Sequence, residues 1–302
     1  MRLLTNSPRI VGIALGAAAA LGCNDSSAPA PQTIPDFVYV ANAAGNVQLV
    51  SFKSGAATPL TTGSDNYDPD SRASRLVFAS ERNGLPEIFI SDLDAGTPHR
   101  VTNLSEFSRS PSLSPNADSI AFVVSSFTGA PRIFVIAAPS LNAPTFDSAA
   151  AIATGSATSA AEGAPAWSPA GGVIAFTSTR SAVSQVYVVP SGGGSATAVT
   201  SEAGGAFEPS WSADGTTIYY LASTPLIVLR RVSARGGGAT TVVDDPQGVA
   251  GPASCNASLC LFNTDPTGTA GSMCALVISA GRSQLVFPRT AAQERQPAIL
   301  VQ

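Results

Sequence analysis

Glu208-Pro209-Ser210-Trp211-Ser212-Ala213-Asp214-Gly215, with Ile218-Tyr219-Tyr220-Leu221 close behind, is the stretch that decides the fold. A proline-anchored segment runs into a polar Asp-Gly turn, and an apolar run carrying an aromatic follows. An Asx side chain beside a flexible glycine suits a tight connection between two strands. One unit upstream, Ala164-Pro165-Ala166-Trp167-Ser168-Pro169 precedes Val173-Ile174-Ala175-Phe176-Thr177-Ser178 in the same order. Further out, the anchor returns at Asp68-Pro69-Asp70, Ser110-Pro111-Ser112-Leu113-Ser114-Pro115, Gly251-Pro252-Ala253-Ser254 and Gln296-Pro297-Ala298-Ile299. These prolines stand 42, 54, 44, 43 and 45 residues apart. Such a period marks a repeat architecture whose units stack on their neighbours.

Each anchor is followed by a second strand: Arg75–Ser80, Ser119–Val123, Val173–Ser178, Thr217–Leu221 and Leu259–Phe262. Phe78, Phe122, Phe176, Tyr220 and Phe262 share one register, which reads as packing between adjacent sheets. Third strands are expected at Glu87–Ile90, Arg132–Val135, Gln185–Val188, Leu229–Val232 and Ala275–Ile278. Fourth strands are expected at Arg100–Thr102, Ala198–Thr200, Thr241–Val243 and Gln284–Val286. Four strands in about 43 residues is the content of a propeller blade. The 54-residue interval carries an insertion, Ala138 to Ala149, between its third and fourth strands.

The two ends of the chain are complementary. The opening unit offers Phe37–Val40, Val47–Val50 and Thr58–Thr61 with no proline-anchored strand, and the last unit offers only Gln296–Val301. The expectation is an all-β, six-bladed β-propeller with four antiparallel strands per blade. The C-terminal strand would complete the N-terminal blade and leave no open sheet edge.

Composition agrees with many short strands. The 302 residues are 44% hydrophobic but only 12% charged, with 27 glycines and 23 prolines. The net charge is −4 and no basic run occurs, which argues against a nucleic-acid partner. Residues 1–22 read as an export signal: Arg2 and Arg9 precede an apolar stretch, Ile10 to Leu21, too short to span a bilayer. The stretch closes as Ala19-Ala20-Leu21-Gly22-Cys23, which resembles the lipobox of bacterial lipoproteins and implies acylation of Cys23. Residues 23–35 read as a Ser/Pro/Ala tether and residues 36–302 as the propeller. Export places the other cysteines where disulfides persist. Cys255 pairs with Cys260 across a tight hairpin, or Cys260 with Cys274 on the next strand. A zinc site would need a fourth ligand, and the sole histidine, His99, is far off in sequence, so neither metal nor cofactor is expected.

Trp167-Ser168-Pro169-Ala170-Gly171 with Ile174-Ala175-Phe176-Thr177-Ser178-Thr179-Arg180, and Trp211-Ser212-Ala213-Asp214-Gly215 with Ile218-Tyr219-Tyr220, are similar to the WSPDG…IAF repeats of TolB-type β-propellers. Ser80-Glu81-Arg82-Asn83-Gly84 and Glu87-Ile88-Phe89-Ile90 match the next portion of that repeat. The resemblance spans residues 36–302. It is weakest in the opening unit and in the last full one, where Cys255-Asn256-Ala257 replaces the turn. TolB carries an α/β domain ahead of its propeller; this chain has the short tether there. The resemblance implies that Arg82 and Arg180 bond neighbouring strands, with anion binding as the other reading.

No Gly-x-Ser-x-Gly elbow occurs, and His99 sits in a predicted turn, so serine hydrolase chemistry is not expected. The leading expectation is a non-catalytic envelope lipoprotein, membrane-anchored through Cys23, whose propeller face binds an envelope protein or a cell-wall component. Asn24 is not the Asp of inner-membrane retention, which favours the outer membrane. Asp68, Arg82, Asn83, Arg109, Arg180 and Glu208 would gather on the face formed by the second-to-third and fourth-to-first strand loops. The alternatives are an envelope glycan-acting enzyme using the channel carboxylates Asp68, Asp70 and Glu208, or capture of a small ligand in the channel.

Overall fold

The computed structural model describes residues 36–43, 46–94, 96–127, 129–138, 160–224, 226–243, 249–255, 259–264, 272–277, 282–285 and 294–299. The expected signal peptide, Cys23, the tether and all of the insertion after Ala138 lie outside these residues.

The strands follow the chain in groups. The first group is β1 (Phe37–Ala43), β2 (Asn46–Lys53) and β3 (Ala56–Pro59). Next come β4 (Asn66–Arg72), β5 (Arg75–Ser80), β6 (Glu87–Asp92) and β7 (His99–Arg100). The third group is β8 (Phe107–Leu113), β9 (Ser119–Ser125) and β10 (Arg132–Ala137). Then follow β11 (Glu162–Trp167), β12 (Val173–Ser181), β13 (Val183–Pro190) and β14 (Thr197–Ala198). After them come β15 (Ala206–Trp211), β16 (Thr217–Thr224), β17 (Leu226–Ser233) and β18 (Thr240–Val243). The last strands are β19 (Val249–Cys255), β20 (Leu259–Thr264), β21 (Ser272–Val277), β22 (Arg282–Leu285) and β23 (Glu294–Ile299). No helix occurs among the described residues.

Every pairing is antiparallel between chain neighbours, with one exception: β23 lies beside β1, so the terminal sheet runs β23-β1-β2-β3. The fold is an all-β propeller, and the expected blade count needs correction. The structure has five complete four-stranded blades, not six; the β8-β9-β10 sheet has three strands among the described residues. The cause is legible in the 54-residue interval. The insertion read from the sequence follows β10 directly, and among the described residues no strand pairs with the outer edge of β10.

Packing between successive sheets supplies the core. Phe78 packs with Val38, Val40 and Leu49 of the preceding sheet, and Phe122 packs with Val77, Ala79, Ile88 and Ile90. Phe176, Tyr220 and Phe262 repeat the arrangement one sheet further each time. All five aromatics are buried. At the junction of the last sheet with the first, Leu259 and Leu261 meet Phe37, Tyr39 and Ala41. Burying an aromatic of this size contributes roughly 1.5–3 kcal/mol of transfer free energy, which is why one position recurs as aromatic in every repeat.

Two small devices hold several of the repeats in register. Thr61, Thr102 and Thr200 each accept, on Oγ1, a backbone N–H of the third strand (Leu49, Ile88 and Val186), all at 2.9 Å. β7 and β14 end two residues before the apolar pattern does, although the Val101 N–H still donates to the Ile88 carbonyl at 2.7 Å and the Val199 N–H to the Val186 carbonyl at 2.9 Å. At the Asp-Gly turn, Asp214 accepts from Ser212 Oγ and from the Thr216 N–H. Gly215 has φ +69, and a Cβ there would lie 2.9 Å from Ala170 Cβ of the preceding sheet's turn. Only glycine permits that approach.

Candidate functional site

The proline anchors turn out to be β-bulges on the first strands. The ladder slips between Tyr67 and Asp70, Arg109 and Ser112, Gly163 and Ala166, Phe207 and Ser210, and Ala250 and Ser254. The residue before each of these five prolines adopts positive φ: Asp68 (+54), Ser110 (+50), Ala164 (+44), Glu208 (+52) and Gly251 (+79). Proline biases its predecessor toward extended backbone, and a non-glycine residue at positive φ is strained by about 1–3 kcal/mol. Four such residues at one repeat position are therefore a feature of the architecture. Sequence reasoning found the prolines but not this geometry, because an X-Pro dipeptide ordinarily signals extended chain.

The first strands β4, β8, β11, β15, β19 and β23 each contact the next, and β23 contacts β4. They therefore surround an axis, with the bulges of β4 and β15 on opposite sides of it. Asp68 and Glu208 occupy those bulges. Glu208 keeps part of its surface accessible, yet its carboxyl is enclosed by protein. Burial, aided by the charge of Asp68, pushes its pKa from 4.5 up to about 7. Asp68 makes inter-sheet contacts, accepting from the backbone N–H of Ser110 at 3.0 Å and from its hydroxyl at 3.4 Å. Among the described residues no hydrogen bond or ion pair reaches the Glu208 carboxylate.

The other residues proposed for this face are committed to the protein itself. Arg82 donates to Ser80 Oγ (3.0 Å) and Asn66 Oδ1 (3.2 Å), and its guanidinium lies 4.4 Å from the Phe89 ring centroid. Arg180 repeats the geometry, with Ser178 Oγ at 3.1 Å, Glu162 Oε1 at 2.8 Å and the Tyr187 ring at 4.7 Å. Asn83 donates to Glu87 Oε2 at 3.1 Å, and Asp70 accepts the Leu113 N–H of the next sheet at 2.8 Å. Arg109 stands between these cases: partly exposed, 3.3 Å from Glu81 and 4.4 Å from the ring of Tyr67, whose hydroxyl donates to the same Glu81. Burial, and then that hydrogen bond, hold the Tyr67 hydroxyl protonated well above its ordinary range.

Glu162 was not singled out from the sequence. Its carboxyl is wholly buried, bonded to Arg180, 3.6 Å from Arg132 Nε, and it accepts the Ile133 N–H at 3.3 Å. The available signal was an Arg at the end of two second strands, Arg82 just after β5 and Arg180 in β12, since each needs an acceptor. Cys255 and Cys260 are joined across the β19–β20 pair, with Cα atoms 4.0 Å apart. Among the described residues no group of three or more His, Cys, Asp or Glu converges as a metal site would require.

A ring of antiparallel sheets with inter-sheet aromatics and Trp-Ser turns is the architecture of TolB-type propellers. The family model described as the TolB beta propeller domain matches residues 64–300, and the chain belongs to that family. The "Protein TolB homolog" of Chlorobium chlorochromatii (strain CaD3) is 30% identical over 146 residues, 47% of this chain and 30% of that protein. The chain thus aligns with about a third of the length of this curated relative. The crystal structure of TolB from Acinetobacter baumannii superposes with TM-score 0.72 at 19% identity, covering 89% of this chain and 67% of the other. Hydrazine synthase of Kuenenia stuttgartiensis gives TM-score 0.68 at 14% identity, covering 89% and 47%. These likenesses establish the fold, and a fold shared by such different proteins does not choose a function.

Proposed function

We propose that the protein is a cell-envelope lipoprotein, anchored through Cys23, whose propeller recognises an envelope protein or a cell-wall component at the face around its channel mouth. One observation carries the reading: Glu208 is enclosed and strained, and among the described residues its carboxylate meets no hydrogen-bond partner, only the charge of Asp68. A propeller that needed its acids only for folding would satisfy them, as it does Glu162. Membership of the TolB propeller family supports an envelope setting and a protein partner. The anchor is tested by fractionation: Cys23→Ala should move the protein from membranes to the soluble periplasm. The face is tested by in-cell crosslinking, in which Arg109→Glu combined with Glu208→Lys should abolish partner capture. Unchanged capture would move the site elsewhere.

A second reading has Glu208 in its favour. A carboxyl that titrates near 7 opposite a second carboxylate has the form of a glycosidase acid and its companion. Turnover of an envelope glycan that disappears in both Glu208→Gln and Asp68→Asn would establish it, and activity surviving both would end it.

A further inference from the structure

The β4–β5 hairpin differs in charge from the matching turns of other sheets. In the β8–β9 turn the Asp118 carboxylate accepts from Ser114 Oγ (3.0 Å), Asn116 Nδ2 (2.7 Å) and Ser119 Oγ (2.9 Å). In the β15–β16 turn Asp214 plays the same part for Ser212 and Thr216. The β4–β5 hairpin, Ser71-Arg72-Ala73-Ser74-Arg75, contains no acid, and its two arginines stand directly opposite one another in the ladder. Ala73 (φ +46) and Ser74 (φ +60) turn the chain between them, both non-glycine residues in the left-handed region. Like charges at opposed ladder positions repel, and each positive φ adds strain. Among the described residues no carboxylate forms an ion pair with either guanidinium.

Each guanidinium uses only part of its donor set. Arg72 Nη1 donates to the Ser71 carbonyl at 3.1 Å, and Arg75 Nη1 to the Ala117 carbonyl of the next sheet at 2.9 Å. Arg72 Nε is buried, and among the described residues it has no partner. Arg132 Nε and Arg230 Nε are also unbonded, but their guanidinium groups lie beside Glu162 and Glu202. The acids adjoining the hairpin are committed elsewhere. Asp92, cross-strand from Arg75, accepts the N–H groups of Asp94 (3.1 Å) and Gly96 (3.2 Å). Asp118, next to Ala117, is saturated by its own turn, and Asp70 takes the Leu113 N–H. Both arginines remain half-buried, so solvent reaches them. First-to-second strand turns lie on the face opposite the second-to-third strand loops, which separates this hairpin from the face around Glu208.

We propose that the β4–β5 hairpin is an anion site, in which Arg72 and Arg75 clamp a dianionic phosphoryl group of the phosphate-monoester class. The three terminal oxygens of such a group serve two planar forks at once, and its two charges cancel the repulsion between them. A carboxylate brings one charge and two oxygens, enough for a single fork. The site stands independently of Glu208 and of the proposed partner face. Thermal melts and phosphate titrations of the full chain at pH 8, where phosphate is the dianion, test it. Inorganic phosphate should raise the melting temperature above its value in chloride of equal ionic strength. Arg72→Gln/Arg75→Gln should gain nothing from phosphate and should bind it about tenfold more weakly. In the unmutated chain the Arg72 Nε–H resonance, assigned with Arg72→Lys, should move as phosphate is added. Phosphate no better than chloride, equal stabilisation of parent and variant, or an unmoved Nε–H would each overturn the inference. Vesicle flotation separates the two sources of such a group, with the Cys23→Ala chain used so that no acyl group contributes. Capture by phosphatidylcholine vesicles containing phosphatidic acid, reversed by inorganic phosphate and lost in the double variant, assigns a lipid headgroup. Binding of inorganic phosphate and glycerol 3-phosphate without vesicle capture assigns a soluble ester.

Discussion

Glu162 and Glu208 sit on the first strands of adjacent sheets, and the protein treats them in opposite ways. Glu162, two residues before its sheet's strained position, is saturated by Arg180, Arg132 and the Ile133 N–H. Glu208 occupies the strained position itself and, among the described residues, meets no donor, only the charge of another carboxylate. Taking a carboxylate out of water costs several kcal/mol unless partners replace the lost hydration. Glu162 is therefore part of what makes the ring, and Glu208 is a cost that the ring carries.

The largest effect should come from breaking the satisfied member. Glu162→Ala strands two guanidinium groups, one of them stacked on Tyr187 and little exposed, and should destabilise by roughly 3–5 kcal/mol in urea denaturation. A loss under about 1 kcal/mol would remove the brace from the account. The repeat itself suggests a sharper version. In the β4 sheet the equivalent of Glu162 is Asn66, which accepts from Arg82 and donates to Gln48 of the preceding sheet at 3.4 Å. Gln48 holds the place that Arg132 has beside Glu162, so an amide pair stands where an ion pair stands elsewhere. Glu162→Asn with Arg132→Gln should therefore recover part of what Glu162→Asn loses alone, and a double-mutant cycle with no coupling would refute the equivalence.

The unsatisfied member should show the opposite sign. With its folded pKa raised from 4.5 to about 7, Glu208 favours the fold fully below pH 4.5 and loses that contribution as pH rises to 7. The loss amounts to up to ~3 kcal/mol. Glu208→Gln should accordingly be more stable than the parent at pH 8 and should flatten the stability profile between pH 5 and 7. Equal profiles would show that the carboxyl is better solvated than its surroundings indicate.

Much of the ring was legible in the sequence because its causes are local. The strand Arg75–Ser80 was bounded to the residue by its polar turn and its alternation, and the five aromatics declared the inter-sheet core. The blade count failed at the β8-β9-β10 sheet, which has three strands among the described residues, since a proline period counts first strands and not fourth ones. The candidate site was legible only as positions on strands. Asp68 and Glu208 were proposed from their place on first strands, and Arg82 and Arg180 were read both as bonding neighbouring strands and as members of the same face; the structure shows their acceptors and the rings they stack on. Which arginine is free depends on what the neighbouring sheet offers, and no local pattern encodes that. Glu162 stayed hidden for the same reason.

The smallest expected effect isolates the charge across the channel. Asp68→Asn keeps an acceptor for the Ser110 N–H, so overall stability should change by only about 1 kcal/mol. It removes the negative charge that helps to raise Glu208, so the pH at which Glu208 titrates should fall below 7. It should not return to 4.5, because burial is the larger cause and Asn leaves it intact. Carboxyl-resolved NMR titration reads this directly. An unchanged titration would place Asp68 too far from Glu208 to share one ligand, and the picture of two acids facing across the channel would fall with it.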